Sequence, residues 1–246
     1  MGELFGKLAL ITGAGTGIGR AVARGLAKNG CRVIVCGRRL NRLQSVAASL
    51  PDKSILPFVL DVKDSAAVDA LPQSLPKEWK QIDILINNAG HEVGGRRRFG
   101  EGTADEWAAI LETNVLGLFR VTRAILPDIV ARGDGHVINI GSVSGLRPGA
   151  TRTAYSASKH AVHGFSESLR MDYAGTGLRV TEILPGIVKT DFSLARWGNV
   201  ARAKKFYDSH PEALEPDDIA ESILYALRQP KRVNVSQVVL TQSSMP

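Results

Sequence analysis

Tyr155 and Lys159 stand four residues apart in Tyr155-Ser156-Ala157-Ser158-Lys159, a spacing that puts a phenol and an ammonium group on one face of a helix. An ammonium beside a phenol favours the phenolate. It draws a group of ordinary pKa about 10 toward the working pH, where it can exchange a proton with a substrate oxygen. The pair alone does not establish chemistry, because Tyr and Lys share this spacing on many helices. A second feature lies near the N-terminus, where the apolar run Leu8-Ala9-Leu10-Ile11 leads into Thr12-Gly13-Ala14-Gly15-Thr16-Gly17-Ile18-Gly19. A helical pattern then runs through Val22, Leu26 and Ala27 to Asn29-Gly30. Glycines here let the backbone approach a pyrophosphate, and the free N–H groups at the helix start offset its charge. An ordinary tight turn is the alternative. A second apolar run, Val33-Ile34-Val35-Cys36, follows the helix, as a βαβ dinucleotide unit requires.

The elements that must position these residues read as one α/β domain spanning 1–246, with a cofactor half over about 1–135 and a catalytic and substrate half over about 136–246. Strands are expected at 7–12, 32–36, 55–60, 82–86, 135–141, 178–184 and 235–240. Helices between them predict a seven-stranded, doubly wound parallel sheet covered on both faces. Thr103-Ala104-Asp105-Glu106 has the spacing of a capping box. Pro127 is expected to end or kink the helix that starts there, because it removes a backbone donor and crowds the preceding turn.

In this order and spacing, the residues resemble the short-chain dehydrogenase/reductase family along nearly the whole chain. The resemblance rests on Thr12 to Gly19, Asp61-Val62, Asn87-Asn88-Ala89-Gly90, Asn114, Ser142, Tyr155 with Lys159, and Pro185-Gly186 with Thr190. It implies a single-domain Rossmann fold and hydride transfer between a nicotinamide cofactor and a carbonyl or alcohol, coupled to proton transfer by Tyr155. Ser142 would hold the substrate oxygen, and Lys159 would bind the nicotinamide ribose and lower the tyrosine pKa. Asn114 would support a water linking the lysine to solvent, although a buried asparagine can also be purely structural.

The family's cofactor positions fall on Gly13, Gly15, Thr16, Gly17, Ile18 and Gly19. The resemblance also puts Asp61 and Val62 at the adenine, and Asn88, Ala89 and Gly90 along the ribose. Pro185, Gly186, Val188 and Thr190 would hold the nicotinamide carboxamide. Asp61 could instead cap the helix near Asp64, and Pro185-Gly186 could simply form a turn. Cofactor choice follows from charge. An NAD site usually ends its second strand with a carboxylate that would repel a 2′-phosphate, whereas here Gly37 is followed by Arg38 and Arg39. NADP(H) is expected, with Arg38 on the phosphate and Arg39 stacked on adenine.

Substrate identity is less specified. His91, Glu92, Ser144, Arg147, Gly149, Arg152, Phe192, Arg196 and Trp197 lie near motif positions that could border a pocket. The segment after Thr190, through Trp197 and Phe206-Tyr207, corresponds to the family's mobile substrate loop. The arginines suggest a small anionic hydroxy acid or its oxo form. The ending Pro230 to Leu240 resembles that of the NADP-dependent branch acting on short 3-hydroxy acids, serine-type substrates included. The stretch His91 to Arg98 is more basic than that branch leads one to expect. Alternatives are a reductase of neutral or acyl-type ketones and a non-catalytic NADPH-sensing protein. Asn114, Ser142, Tyr155 and Lys159 together favour the enzyme.

The net charge of +7 comes from scattered residues. Only Arg96-Arg97-Arg98 is a tight cluster, without the aromatic interleaving of a single-strand binding surface, so no nucleic-acid partner is expected. No apolar run reaches the roughly 18 residues of a membrane span and no signal-peptide pattern opens the chain, so a soluble cytoplasmic protein is expected. Met1-Gly2 lacks the Ser or Thr that myristoylation needs at position 6, which is Gly6. Cys31 and Cys36 read as buried free thiols. His136, His160, His163 and His210 form no ligand pattern, so no metal is expected. The family suggests a homotetramer, or a homodimer, with the helices carrying Asn114 and Tyr155 packed across subunits.

Overall fold

The computed structural model describes residues 4–50 and 54–244. From the N-terminus the chain runs through β1 (Leu8–Thr12), α1 (Gly17–Lys28), β2 (Arg32–Gly37), α2 (Leu40–Ala47) and β3 (Ile55–Val59). It continues through α3 (Ser65–Ser74), β4 (Ile84–Asn87), α4 (Ala104–Leu111), a π-helical turn at Glu112–Gly117, α5 (Leu118–Ala131) and β5 (Gly135–Ile140). The last part holds α6 (Thr153–Asp172), β6 (Leu178–Pro185), α7 (Phe192–Trp197), α8 (Val200–Asp208), α9 (Pro216–Leu227) and β7 (Gln237–Leu240). All strand pairs are parallel, in the order β3-β2-β1-β4-β5-β6-β7. The seven expected strands are all present, with ends shifted by up to two residues.

Alternation along the strands sorts apolar side chains into two cores. Ala9, Ile11, Val33, Val35, Ile84 and Ile86 face one side, where Val22 and Leu26 of α1 and Ile219 and Ile223 of α9 cover them. Leu8, Leu10, Ile34, Leu85 and Val137 face the other, against Val68 of α3, Val121 and Ile125 of α5 and Leu169 of α6. Burial on both faces explains why these strands are near-continuous apolar runs. Cys31 and Cys36 are buried free thiols, and burial pushes both pKa values up, that of Cys31 to about 12.

Thr103 caps α4 as the spacing predicts, accepting a hydrogen bond from the Glu106 N–H at 3.2 Å while the Glu106 carboxylate accepts from the Thr103 N–H at 2.9 Å. Pro127 does not end its helix, which runs on to Ala131. Ile125, Leu126 and Ile129 are buried around it, and that packing outweighs the lost backbone bond. Asp64, not Asp61, caps α3, accepting from the Ala67 N–H at 3.0 Å.

At the base of β5, His136 is 1% exposed. The Thr181 hydroxyl donates to the Val235 carbonyl at 2.6 Å, so the His136 Nε2, 2.7 Å from the same hydroxyl oxygen, must carry the ring proton. Nδ1 is then bare and without a partner, and burial holds the imidazole pKa down at about 3. Its folded value lies below the ordinary 6.5, so the unfolded chain takes up this proton first as pH falls. The neutral ring's contribution is present above about pH 6.5 and is lost progressively toward pH 3. Urea denaturation of wild type and His136→Gln between pH 7 and 4 should give a shallower fall for the variant; parallel curves would contradict the linkage.

Candidate active site

Parallel pairing puts the carboxyl ends of all strands on one edge, and the chain reverses its winding between β1 and β4. A cleft of about 590 Å³ opens there. Gly13, with φ of 64°, begins its floor, and a Cβ at that position would lie 2.9 Å from the Ala89 Cα. The Thr12 hydroxyl accepts from the N–H groups of Asn88 and Ala89, both at 3.0 Å. Asn88 answers by donating its side-chain amide to the Thr12 and Gly13 carbonyls at 2.9 and 3.1 Å. The glycine turn and the end of β4 are thus one hydrogen-bonded unit.

Gly13, Gly15, Thr16, Gly17 and Ile18 line the cleft. Gly19 does not; a Cβ there would lie 2.5 Å from the Asn88 amide nitrogen, so its role is packing. Thr16 makes no side-chain cap to α1, and the first turn holds no acidic residue, which leaves the helix N–H groups free for an anion. Arg38 and Arg39 are exposed at the cleft mouth after Gly37, joined by Arg42 and Lys63, which the sequence reading did not select. This cationic rim, with Asp61 as its carboxylate, fits a phosphorylated adenosine. Val62, Ala89, Gly90, Pro185, Gly186, Val188 and Thr190 complete the expected cofactor wall.

At the far end, Ser142, Tyr155 and Lys159 line the same cleft. Lys159 donates from Nζ to the Ile140 carbonyl at 2.7 Å and lies 5.8 Å from the Tyr155 ring centre. Burial pushes the Lys159 ammonium down to about 8, opposed by Glu182 and then Glu92. Burial raises the Tyr155 phenol; Arg152 is the largest influence lowering it, followed among the lowering causes by a Ser142 hydrogen bond and Arg196. Asn114 is 1% exposed in the π-helical turn and does not reach the cleft lining. Its Oδ1 accepts from the His91 N–H at 2.6 Å, and its amide nitrogen donates to the His91 carbonyl and the Ser158 hydroxyl, both at 3.0 Å. It therefore fixes the loop after β4 to α6.

Around Tyr155 the structure assembles a charge cluster that sequence spacing does not reveal. Glu92, 3% exposed, accepts from Arg196 Nε at 2.7 Å and lies 2.6 Å from its Nη2, with Arg152 Nε at 3.5 Å from the other oxygen. The Arg152 guanidinium stacks over the Tyr155 ring at 4.6 Å. Arg96 lies in the cleft over Phe206 at 5.6 Å from its ring centre, within the field of Arg152, Arg196 and Glu92.

The rest of the basic run turns away, Arg97 pairing with Glu106 over Trp107 and the Arg98 N–H donating to Glu101 at 2.8 Å. His91 and Phe192 border the cleft as expected, whereas Ser144, Arg147, Gly149 and Trp197 do not. In the segment after Thr190, the Tyr207 hydroxyl of α8 donates to one of the carbonyls of Val188 (3.1 Å) and Thr190 (2.9 Å), and accepts from the Thr190 N–H at 3.1 Å.

A family model described as short chain dehydrogenase matches residues 7–199. The NADP-dependent 3-hydroxy acid dehydrogenase YdfG of Salmonella typhi is 41% identical over 233 residues, 94% of this chain and 93% of that protein. An uncharacterised oxidoreductase of Staphylococcus aureus (strain N315) is 37% identical, covering 98% of this chain and 99% of its own length. Among solved structures, the closed form of a serine dehydrogenase complexed with NADP+ superimposes with a TM-score of 0.90 at 39% identity, over 95% of this chain and 94% of the other. An alcohol dehydrogenase from the archaeon Thermococcus sibiricus, complexed with 5-hydroxy-NADP, gives 0.85 at 27% identity, over 98% of both chains.

The Glu92 carboxylate holds two guanidinium groups that come from separate elements, so its charge is structural as well as local. Glu92→Gln leaves Arg196, 6% exposed, without a counter-charge and should lower the unfolding free energy by about 3–5 kcal/mol in urea denaturation. A loss below about 1 kcal/mol would mean that solvent already screens the pair.

Proposed function

The chain belongs to the short-chain dehydrogenase family, and from that premise we propose that its cleft interconverts a small anionic hydroxy acid and the corresponding oxo acid, with Tyr155 as the acid and base. The protein is an NADP-dependent oxidoreductase of the alcohol dehydrogenase and carbonyl reductase type. The observation that carries the proposed chemistry is the Tyr155 phenol, set in the cleft with Ser142, Lys159 and Arg152.

Bound along the glycine turn, the reduced cofactor supplies a hydride. Gly13, Gly15, Thr16, Gly17 and Ile18 receive its pyrophosphate, with Gly19 shaping the turn from behind. Arg38, with Arg39 on the adenine, holds the 2′-phosphate. Asp61 and Val62 border the adenine; Asn88, Ala89 and Gly90 border the ribose. Pro185, Gly186, Val188 and Thr190 receive the carboxamide. Lys159 donates to the ribose hydroxyls, Ser142 donates to the substrate carbonyl oxygen, and Tyr155 gives that oxygen its proton as negative charge develops. Asn114 supports this arrangement by keeping the His91 loop against α6.

The anionic preference rests on charge. Three guanidinium groups, Arg96, Arg152 and Arg196, share one carboxylate, Glu92, which leaves the cleft beside Tyr155 positive. Arg96, whose contact is with the Phe206 face, is the group free to meet a carboxylate. The relative acting on 3-hydroxy acids and the serine dehydrogenase neighbour support the same class.

We further read the assembly as a homotetramer or homodimer. Leu111, Leu116 and Phe119, each more than a third exposed along α4, the π-helical turn and α5, give that surface an apolar character. A cytoplasmic setting suits the two unpaired thiols. No described helix is long and apolar enough to cross a membrane. The single-domain division, about 1–135 for the cofactor and 136–246 for catalysis, accords with a cleft lined from both halves.

Two variants test this reading. Tyr155→Phe should bind NADPH with wild-type affinity yet lose turnover by about 10²–10⁴; unchanged turnover would remove Tyr155 from the chemistry. In NADPH-consumption assays, Arg96→Leu should raise KM for anionic oxo acids about tenfold or more while leaving neutral ketones unaffected. A wild-type preference for neutral carbonyls would end the anionic assignment.

A further inference from the structure

Glu182, on β6 between β5 and the edge strand β7, is 0% exposed, and its Oε1 has no hydrogen-bond partner. The carboxylate lies against Gly141, where a Cβ would clash with Oε1, so the glycine is what makes room for it. Gly141 directly follows Ile140, whose carbonyl accepts from Lys159 Nζ at 2.7 Å. The carboxylate and the ammonium thus bracket two consecutive residues at the end of β5. Glu182 Oε2 lies 2.8 Å from His163 Nδ1, which donates to it when the carboxylate is ionised. His163 is on α6 one turn beyond Lys159, and its side chain is 25% exposed.

We infer that Glu182, held by His163, is a positioning residue that keeps Lys159 in its ammonium form at the ribose end of the cleft. A buried lysine without a nearby negative charge gives up its proton. Here Glu182 supplies that charge from β6, beneath α6, the helix that carries both Lys159 and His163. His163 in turn keeps the carboxylate ionised, because a buried carboxyl lacking a donor takes up a proton. Burial lowers the Lys159 pKa and Glu182 is the largest influence opposing it, while burial raises the Glu182 pKa and His163 is the largest influence opposing that rise.

The other groups facing this pair are known. Glu167 lies 3.9 Å from His163 Nε2, and the Gln237 amide of β7 lies 3.2 Å from Nδ1. Arg170 of α6 acts on Glu182, while Glu92 and Arg152 act on Lys159 from the cleft side. Of these, Glu182 alone combines complete burial, an unpartnered oxygen and a place next to the lysine's acceptor.

The proposal rests on Lys159 meeting the cofactor ribose, and NADPH affinity measured by fluorescence titration from pH 6 to 10 reads it without any substrate. In wild type the affinity should fall as pH passes the Lys159 pKa of about 8. Glu182→Gln should bring that fall about one unit lower, a tenfold change in the protonation equilibrium, with little effect at pH 6. His163→Ala should act in the same direction, and His163→Gln, which keeps a donor for the carboxylate, should restore the wild-type profile. If Glu182→Gln does not fold, the two His163 variants decide. An unmoved break in a folded variant, or an equal loss of affinity at every pH, would overturn the inference. Lys159→Gln should abolish the break altogether. If the break persists there, the assignment of Lys159 to the ribose has itself failed and the inference falls with it.

Discussion

Every functional group in this protein depends on one constraint, the reversal of winding between β1 and β4 in a sheet whose strands all run the same way. Parallel pairing sends each strand's carboxyl end to the same edge. On either side of β1 the connecting helices lie on opposite faces, so the loops after β1 and β4 part and leave a cleft between them. The hydrogen bonds joining Thr12, Gly13, Asn88 and Ala89 fix how far apart they stand. The two cores hold the sheet rigid beneath, so the reactive side chains at its edge inherit the register of the strands.

Much of this was legible in the sequence because it is local. Apolar runs of strand length, the glycine turn, the Thr103 cap and the Tyr155–Lys159 spacing each carry their meaning within a few residues. Pro127 shows where local reading stops, since a rule about one residue's backbone loses to the packing of Ile125, Leu126 and Ile129. Glu92, Arg152 and Arg196 could be placed near a pocket, but their pairing was not legible. The hydrogen bond from Arg196 to Glu92 spans 104 positions, and neither residue has a periodicity or motif that announces the other. His91 to Arg98 read as a basic stretch, yet only Arg96 of its three arginines turns into the cleft; Arg97 spends its charge on Glu106, and the Arg98 N–H caps a short turn with Glu101. Composition counts charges, whereas the fold decides which of them remain unneutralised.

Two carboxylates divide the electrostatics of the site between them. Glu92, on the substrate side, neutralises part of the arginine cluster and limits how far the guanidinium groups lower the Tyr155 phenol. Glu182, beneath the sheet edge, acts on Lys159 instead. The phenol and the ammonium sit on one helix and share the field of Glu92 and Arg152, but the ammonium answers in addition, and first, to Glu182. Their protonation states can therefore be set with some independence, which a simple Tyr–Lys pair in water would not allow.

The Tyr207 hydroxyl bonds reach further than the loop they belong to. One oxygen on α8 engages the main chain of Val188 and Thr190, in the stretch that leaves β6 and lines the cleft. Any outward swing of α8 must release that backbone. With Val188 and Thr190 in the cofactor role proposed above, exit of the product and loosening of the spent cofactor would be geared together, a shared clutch rather than two separate doors.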